Sequence, residues 1–291
     1  MSNNSNSFST STNKGASPTM DFLESNSLVA KFAFILLILV VFVILFRMGL
    51  ILIKWLTSPN ESPHLINGMV DATQAITFTQ DPSSNSAVTV YRSKNANDGI
   101  EFTWSVWIYI TDLKPYDQYK CIFYKGNNNI APDGRNFPNN APGLYIMPNS
   151  NSLVVMMNTY KVINQEIIIP DIPVNLWVNV IIRCENTTLD VYINGTIARS
   201  LQLSGVPKQN YGDVYVAMNG GFSGNISNLW YYNYALGTAA IQHLASTGPN
   251  TTLINSSLST TKPTDYLSLR WYFYGAGDGY NPMMAPHKMG K

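Results

Sequence analysis

This chain is short of the groups that carry chemistry. Its three histidines, His64, His243 and His287, lie far apart and have no cysteine or carboxylate partner at ligand spacing, so no zinc site is visible. Beyond residue 57 the glutamates are Glu61, Glu101, Glu166 and Glu185, and none has a second acidic residue two or four positions away. Those are the spacings that put two carboxyl groups on the same side of a strand. Glycoside hydrolysis needs such a pair roughly 5 to 9 Å apart, so no enzyme activity is expected unless distant carboxylates converge. Charge of either sign is sparse, with 18 Lys and Arg against 17 Asp and Glu and a net charge of +1. Without a basic cluster to focus field on phosphates, a nucleic-acid partner is not expected. Only two cysteines are present, Cys121 and Cys184, each in an apolar, strand-like stretch. Two buried reduced thiols are preferred to a single disulfide.

What the chain has is one long apolar run. From Phe32 to Ile53 every residue but Arg47 is apolar or glycine, and the stretch Phe32 to Phe46 is unbroken. As a helix rising 1.5 Å per residue it would extend about 33 Å, enough for a hydrocarbon core of roughly 30 Å. A soluble core helix would need a polar face, and none is offered. Arg47 lies near the far end, where its stem can carry the guanidinium to the headgroups. Residues 28–55 are therefore expected to be a transmembrane anchor in a lipid bilayer. Residues 1–27, rich in Ser, Asn and Thr, read as a flexible polar head.

Orientation is written weakly. Lys31 has Asp21 and Glu24 near it, whereas Arg47 and Lys54 mark the other flank without an acidic neighbour before Glu61. The cationic bias of cytoplasmic flanks then keeps the large domain on the cytosolic side. From residue 75 on, five Asn-x-Ser/Thr triplets in the large domain, at Asn186, Asn194, Asn225, Asn250 and Asn255, point the other way. An Asn- and Thr-rich chain yields such triplets by chance.

After a linker over 56–74, residues 75–248 have a period near two. Ile100 to Thr111 puts Phe102, Trp104, Val106, Ile108 and Ile110 on one face and Thr103, Ser105, Trp107 and Tyr109 on the other. Both faces are partly apolar, as in a central strand. Trp107 and Tyr109 either pack under a loop or face a ligand groove. Further strands are expected at Ala87 to Arg92, Tyr119 to Tyr124, Gly143 to Met147, Ser152 to Asn158, Glu166 to Ile169, Leu176 to Arg183, Thr188 to Ile193, Val214 to Asn219 and Ile226 to Tyr232. Gly, Pro, Asn and Asp punctuate the gaps, and Asn194-Gly195 supplies a hairpin turn. Many short strands with such turns predict an all-β, two-sheet antiparallel jelly-roll sandwich.

The stretch Gly126 to Ala141 is expected as a long loop over one end or edge, and Ala235 to Ala245 as a short surface helix. Residues 249–291 form an extension whose aromatic segment, 266–274, either packs back on the sandwich or meets a partner. Sugar rings stack on aromatics and bond to planar amides. Candidate glycan or partner contacts are Trp107, Tyr109, Asn127, Asn139, Asn140, Trp271 and Tyr272, and each aromatic has core packing as its simpler role.

Glu101 to Ile110 (EFTWSVWIYI), Ile122 to Gly126 (IFYKG), Asn140 to Ile146 (NAPGLYI), Trp177 to Ile182 followed by LDVYING at Leu189 to Gly195, and Gly220 to Ala235 occur in the order of a known family. The chain resembles the laminin-G-like, concanavalin A-like lectin/glucanase group, in the membrane-anchored versions found in large DNA viruses. That resemblance implies a β-jelly roll. The Glu-x-Asp-x-x-Glu arrangement of the related glucanases is absent. Many laminin-G-like domains bind calcium, and Asp112, Asp117, Asp133 and Asp213 fall in expected loops; a lone loop aspartate is more simply a turn former, so no cofactor is expected.

The resemblance and the anchor together imply a minor capsid protein. It would sit in the internal membrane of a virus particle, or in a host intracellular membrane during assembly, and grip major or minor capsid proteins. The alternative is a surface lectin used for attachment to glycans.

Overall fold

The computed structural model describes residues 28–57, 62–81, 83–84, 87–96, 99–113 and 116–254. The chain divides into two compact units, one containing the apolar helix and one the sandwich. Helix α1, Leu28–Thr57, has 30 residues and therefore extends about 45 Å. Large apolar side chains stand exposed all round it, among them Phe32, Phe42, Phe46 and Ile53. Such a surface matches hydrocarbon and is unsuited to water. By length and composition this helix is able to cross a membrane. The polar head, the aromatic segment 266–274 with Trp271 and Tyr272, and Asn255 lie outside the described residues.

The second unit is an antiparallel sandwich, as the alternation in the sequence predicts. Its strands are β1 (His64–Asp71), β2 (Ile76–Phe78), β3 (Lys94–Ala96), β4 (Gly99–Ile110), β5 (Lys120–Gly126), β6 (Gly143–Ile146) and β7 (Leu153–Met157), then β8 (Gln165–Ile169), β9 (Trp177–Asn186), β10 (Thr188–Ile193), β11 (Thr196–Gln202), β12 (Asp213–Val216) and β13 (Gly224–Tyr232). Helix α2, Thr238–Thr247, follows the last strand. One sheet runs β1-β13-β4-β9-β10-β11 with β3 paired to β4, and the other β2-β12-β5-β6-β7-β8. Asn194 and Gly195, at φ of 49° and 80°, form the hairpin turn between β10 and β11.

Phe102, Trp104, Val106, Ile108 and Ile110 all point into the core between the sheets. The ring of Trp104, 1% exposed, lies 4.8 Å from Tyr231 beside it and 5.2 Å from Phe123 on the opposing sheet. The outer faces are covered as well. Thr103 Oγ1 accepts from Leu236 N and donates to Tyr234 O, and Ile181, Leu236 and Ile241 pack together where α2 crosses the first sheet. On the second sheet Cys121, Tyr124, Tyr145, Val154 and Met156 form a separate buried cluster. Both cysteines are free and buried, and burial pushes each thiol up to about 12.

Three expectations are corrected. Residues 64–71, read as linker, form β1, which pairs with β13. The polar pair Asn67-Gly68 and two register shifts break its alternation, which conceals it in the sequence. Residues 252–254, read as extension, bond to the outer edge of β1 through Met69 N to Thr252 O and Ile254 N to Met69 O. Ala87 to Arg92, read as a strand, is an irregular strap. The Gln80 side chain takes the place of a neighbouring strand there, donating from Nε2 to Val88 O at 2.8 Å and accepting from Val90 N at Oε1 at 2.7 Å.

Truncating Trp104 to alanine would empty the contact that joins the two sheets. The expected loss is about 3 to 5 kcal/mol of unfolding free energy. Denaturant titration of the full chain in detergent, read by tryptophan fluorescence, checks this; a loss below about 1 kcal/mol would show that the contact is not central.

Candidate functional site

Strand directions distribute the loops unevenly. At one end lie the shorter connections, from 194–195 between β10 and β11 and residues 147–152 between β6 and β7 to 170–176, 217–223 and 111–119. At the other end it carries residues 79–93, 127–142, 158–164 and 203–212. Exposed rings and aliphatic tips collect there: Tyr160, Val162 and Ile163 after β7, Val206 and Tyr211 before β12, and Phe137 after β5. Tyr160 N donates to Val206 O, and Lys208 Nζ sits 5.2 Å from the Tyr160 ring centre, so these tips share one surface.

Between the sheets at this end lies a cleft of about 460 Å³. The strap forms one wall. Besides its Gln80 bonds, it is held by the Tyr231 hydroxyl donating to Tyr91 O at 2.7 Å and by Gln209 Nε2 donating to Ser93 Oγ. The facing wall comes from the 203–212 loop, where Asn210 donates to Lys125 O at 3.0 Å and accepts from Gly212 N at 3.0 Å. Gly212 is required for this closure, because a Cβ there would lie 2.0 Å from Gly126 O.

Lys125 stands in the cleft. A register shift after Cys121 turns Phe123 toward the core, and Lys125, two residues on, shares that face. The side chain is 8% exposed, and Nζ donates to Gly212 O at 2.6 Å. Desolvation pulls its pKa from 10.5 down to about 8, while Asp213 nearby opposes the shift. Arg92 and Lys208 also line the cleft, and among the described residues no carboxylate does. These three cations come from distant segments, so spacing could not reveal them. The one legible signal was a lysine sharing a strand face with Phe123.

The residues expected to contact ligand are dispersed. Trp107 is buried, in keeping with the packing alternative, and Tyr109 is half-buried with its ring 5.4 Å from Trp177. Asn140 is corrected from candidate contact to internal strut. It is fully buried, donates to Asn136 O and Asn164 Oδ1, and accepts from the Tyr145 hydroxyl at 2.7 Å. Asn139 is half-buried, its carbonyl accepting from Asn136 Nδ2. Asn127 is half-buried with its Oδ1 enclosed. The loop Gly126 to Ala141 thus uses its amides to fold over the second sheet.

Cross-strand register places Glu101 opposite Glu185, a juxtaposition invisible in sequence spacing. Arg183 donates to Glu185 at 2.5 Å, to Asp190 at 3.1 Å and to Leu236 O at 2.9 Å. This network fastens the approach to α2 to the sheet. Among the described residues no group of three or more His, Cys, Asp or Glu is arranged to hold a metal ion.

Residues 70–242, more than half of the chain, match the model of the concanavalin A-like lectin/glucanases superfamily. No curated protein matches. Among solved structures, the chain is similar to the binding domain of botulinum neurotoxin DC in complex with rat synaptotagmin II, at 17% identity over 50% of this chain and 35% of that one, with a TM-score of 0.38. It is also similar to the receptor-binding domain of the botulinum neurotoxin C/D mosaic serotype, at 15% identity over 50% and 36%, with a TM-score of 0.41. The chain thus spans little more than a third of the length of these neighbours.

The buried lysine makes a stability prediction. Below about pH 8 the folded protein carries an ammonium that burial disfavours; between about 8 and 10.5 the folded state sheds that proton while the unfolded chain keeps it, so the penalty fades as pH rises. Lys125→Met is therefore expected to raise the melting temperature at pH 7, with the gain over wild type shrinking toward pH 10. Paired thermal melts at both pH values test this, and a gain that is constant or grows with pH contradicts the assignment.

Proposed function

We propose that this chain, which belongs to the concanavalin A-like lectin/glucanases superfamily, is a membrane-anchored binding protein that holds a partner without chemical turnover. One observation carries this reading. A helix apolar on every side is followed in the same chain by a sandwich in which exposed Tyr160, Val162, Ile163, Val206 and Tyr211 share one loop-bearing end with a cleft. Membership of the superfamily fixes the fold, and a fold of this kind hosts many functions.

We assign the protein to a large DNA virus particle, as a minor capsid protein that links the internal membrane to the shell. The resemblance to membrane-anchored viral members supports that setting. Exposed Val162, Ile163 and Val206 beside Tyr160 supply the apolar contact area that a protein partner buries. A second reading, a surface lectin used for attachment, is favoured by the exposed rings of Tyr160 and Tyr211 next to the cleft.

Native protein settles the choice. The capsid reading expects cross-links from the 158–164 and 203–212 loops to shell proteins in intact particles, and gel mobility unchanged by glycosidase. A glycosidase shift together with surface accessibility on unopened particles would favour the lectin. In both cases the chain is expected to stay with the membrane pellet after alkaline carbonate extraction. Replacing Val40 and Val41 by arginine, at about 2.5 to 3.5 kcal/mol per mid-membrane charge, should release it. Release of the unaltered chain by carbonate would overturn the anchor.

A further inference from the structure

We infer that the cleft between the sheets is a binding site for a small acid, a carboxylate or a phosphate monoester carried on a ring, with Lys125 Nζ as its charged donor. The inference rests on the binding reading only in treating the cleft as a recognition site, and it specifies the chemistry that enters.

An ammonium has three N–H donors, and Gly212 O takes one of them at 2.6 Å. Burying such a group is costly unless it is paired and hydrogen-bonded. The nearby carboxylate, Asp213, already accepts from Gln80 N at 2.8 Å. The amides around the cleft are committed to shaping it: Gln80 bonds to Phe78 O, Val88 O and Val90 N, and Asn210 to Lys125 O and Gly212 N. Supporting the Gly212 carbonyl would need only a neutral donor. A buried cation joined by Arg92 and Lys208, in a cleft that no carboxylate among the described residues lines, instead complements a negative charge.

The rest of the lining suits a flat body behind that charge. Tyr91 and Tyr211 supply rings, and Phe102 and Met157 an apolar floor. A volume of about 460 Å³ lies within the range of small-ligand sites. The strap that forms one wall is pinned at Val88, Val90, Tyr91 and Ser93, so the cleft is formed before any ligand arrives.

The test is calorimetric titration of the full chain in neutral detergent micelles at pH 7 with phenyl phosphate, methyl β-glucuronide and the uncharged methyl β-glucoside. At least one acid is expected to bind, and which one identifies the source of the acid group. Lys125→Met should weaken that binding by about tenfold or more, the scale of one charged hydrogen bond. Arg92→Ala and Lys208→Ala should each weaken it by about threefold, the scale of an exposed ion pair, and carry the test if Lys125→Met does not fold. If the glucoside binds as tightly as the glucuronide and phenyl phosphate does not bind, the inference fails while the lectin reading stands. If neither acid binds at 10-millimolar order, or if the acid binds the lysine and rim variants undiminished, the inference is overturned.

Discussion

The contact on which the sandwich depends is that of Trp104 with Tyr231 and Phe123, because it is where one sheet is fastened to the other. Strand β4 can hold it only because its inner face is apolar from Phe102 to Ile110 and its outer face is also covered. Thr103, Ser105 and Trp107 are all buried on that outer side, where a sheet open to water would show exposed polar residues. The hydroxyl of Thr103 both accepts from Leu236 and donates to Tyr234, tying the start of the α2 segment to the same strand. Core and covering therefore meet on one strand.

With the faces closed, the ends differ. One end carries the shorter connections, whereas at the other a strap and a loop are bonded into place around the cleft. Gln80 and Asn210 act there as substitutes for strand pairing. Polar groups that a longer strand would have satisfied are satisfied by amides instead, and the space between the sheets remains open. The cleft is a product of incomplete strand pairing, and Lys125 is the residue that such an opening permits inside a sandwich.

Most of the sandwich was legible because alternation survives in strands with one clear inner face, as in Phe102 to Ile110 and in Thr188 to Ile193 with its Asn-Gly turn. The helix Leu28–Thr57 was legible because from Phe32 to Ile53 only Arg47 is charged, so the run offers no polar face to water. Strand β1 was not, since Asn67 and Gly68 interrupt its alternation and Gly68, at φ of 136°, lets Thr252 O approach where a Cβ would be only 2.7 Å away. The strap looked like a strand because Val88 and Val90 alternate with polar residues, and a single glutamine side chain decided otherwise. Asn140 illustrates a different limit. An amide in a polar loop reads equally as ligand contact or strut, and only the three-dimensional position of Tyr145 and Asn164 distinguishes them. The cleft cations depended wholly on topology, since residues 92, 125 and 208 share no local pattern.

The two thiols, each raised by burial to about 12, have a consequence for how the domain is held together. At neutral pH far fewer such groups are thiolates than in an ordinary cysteine, and the thiolate is the form that attacks disulfides and reacts with oxidants. Cys121 belongs to the outer cluster of the second sheet and Cys184 to the core, so the two lie in different layers. The sandwich is therefore held by packing and hydrogen bonds with no disulfide to staple it, and neither thiol is poised to react.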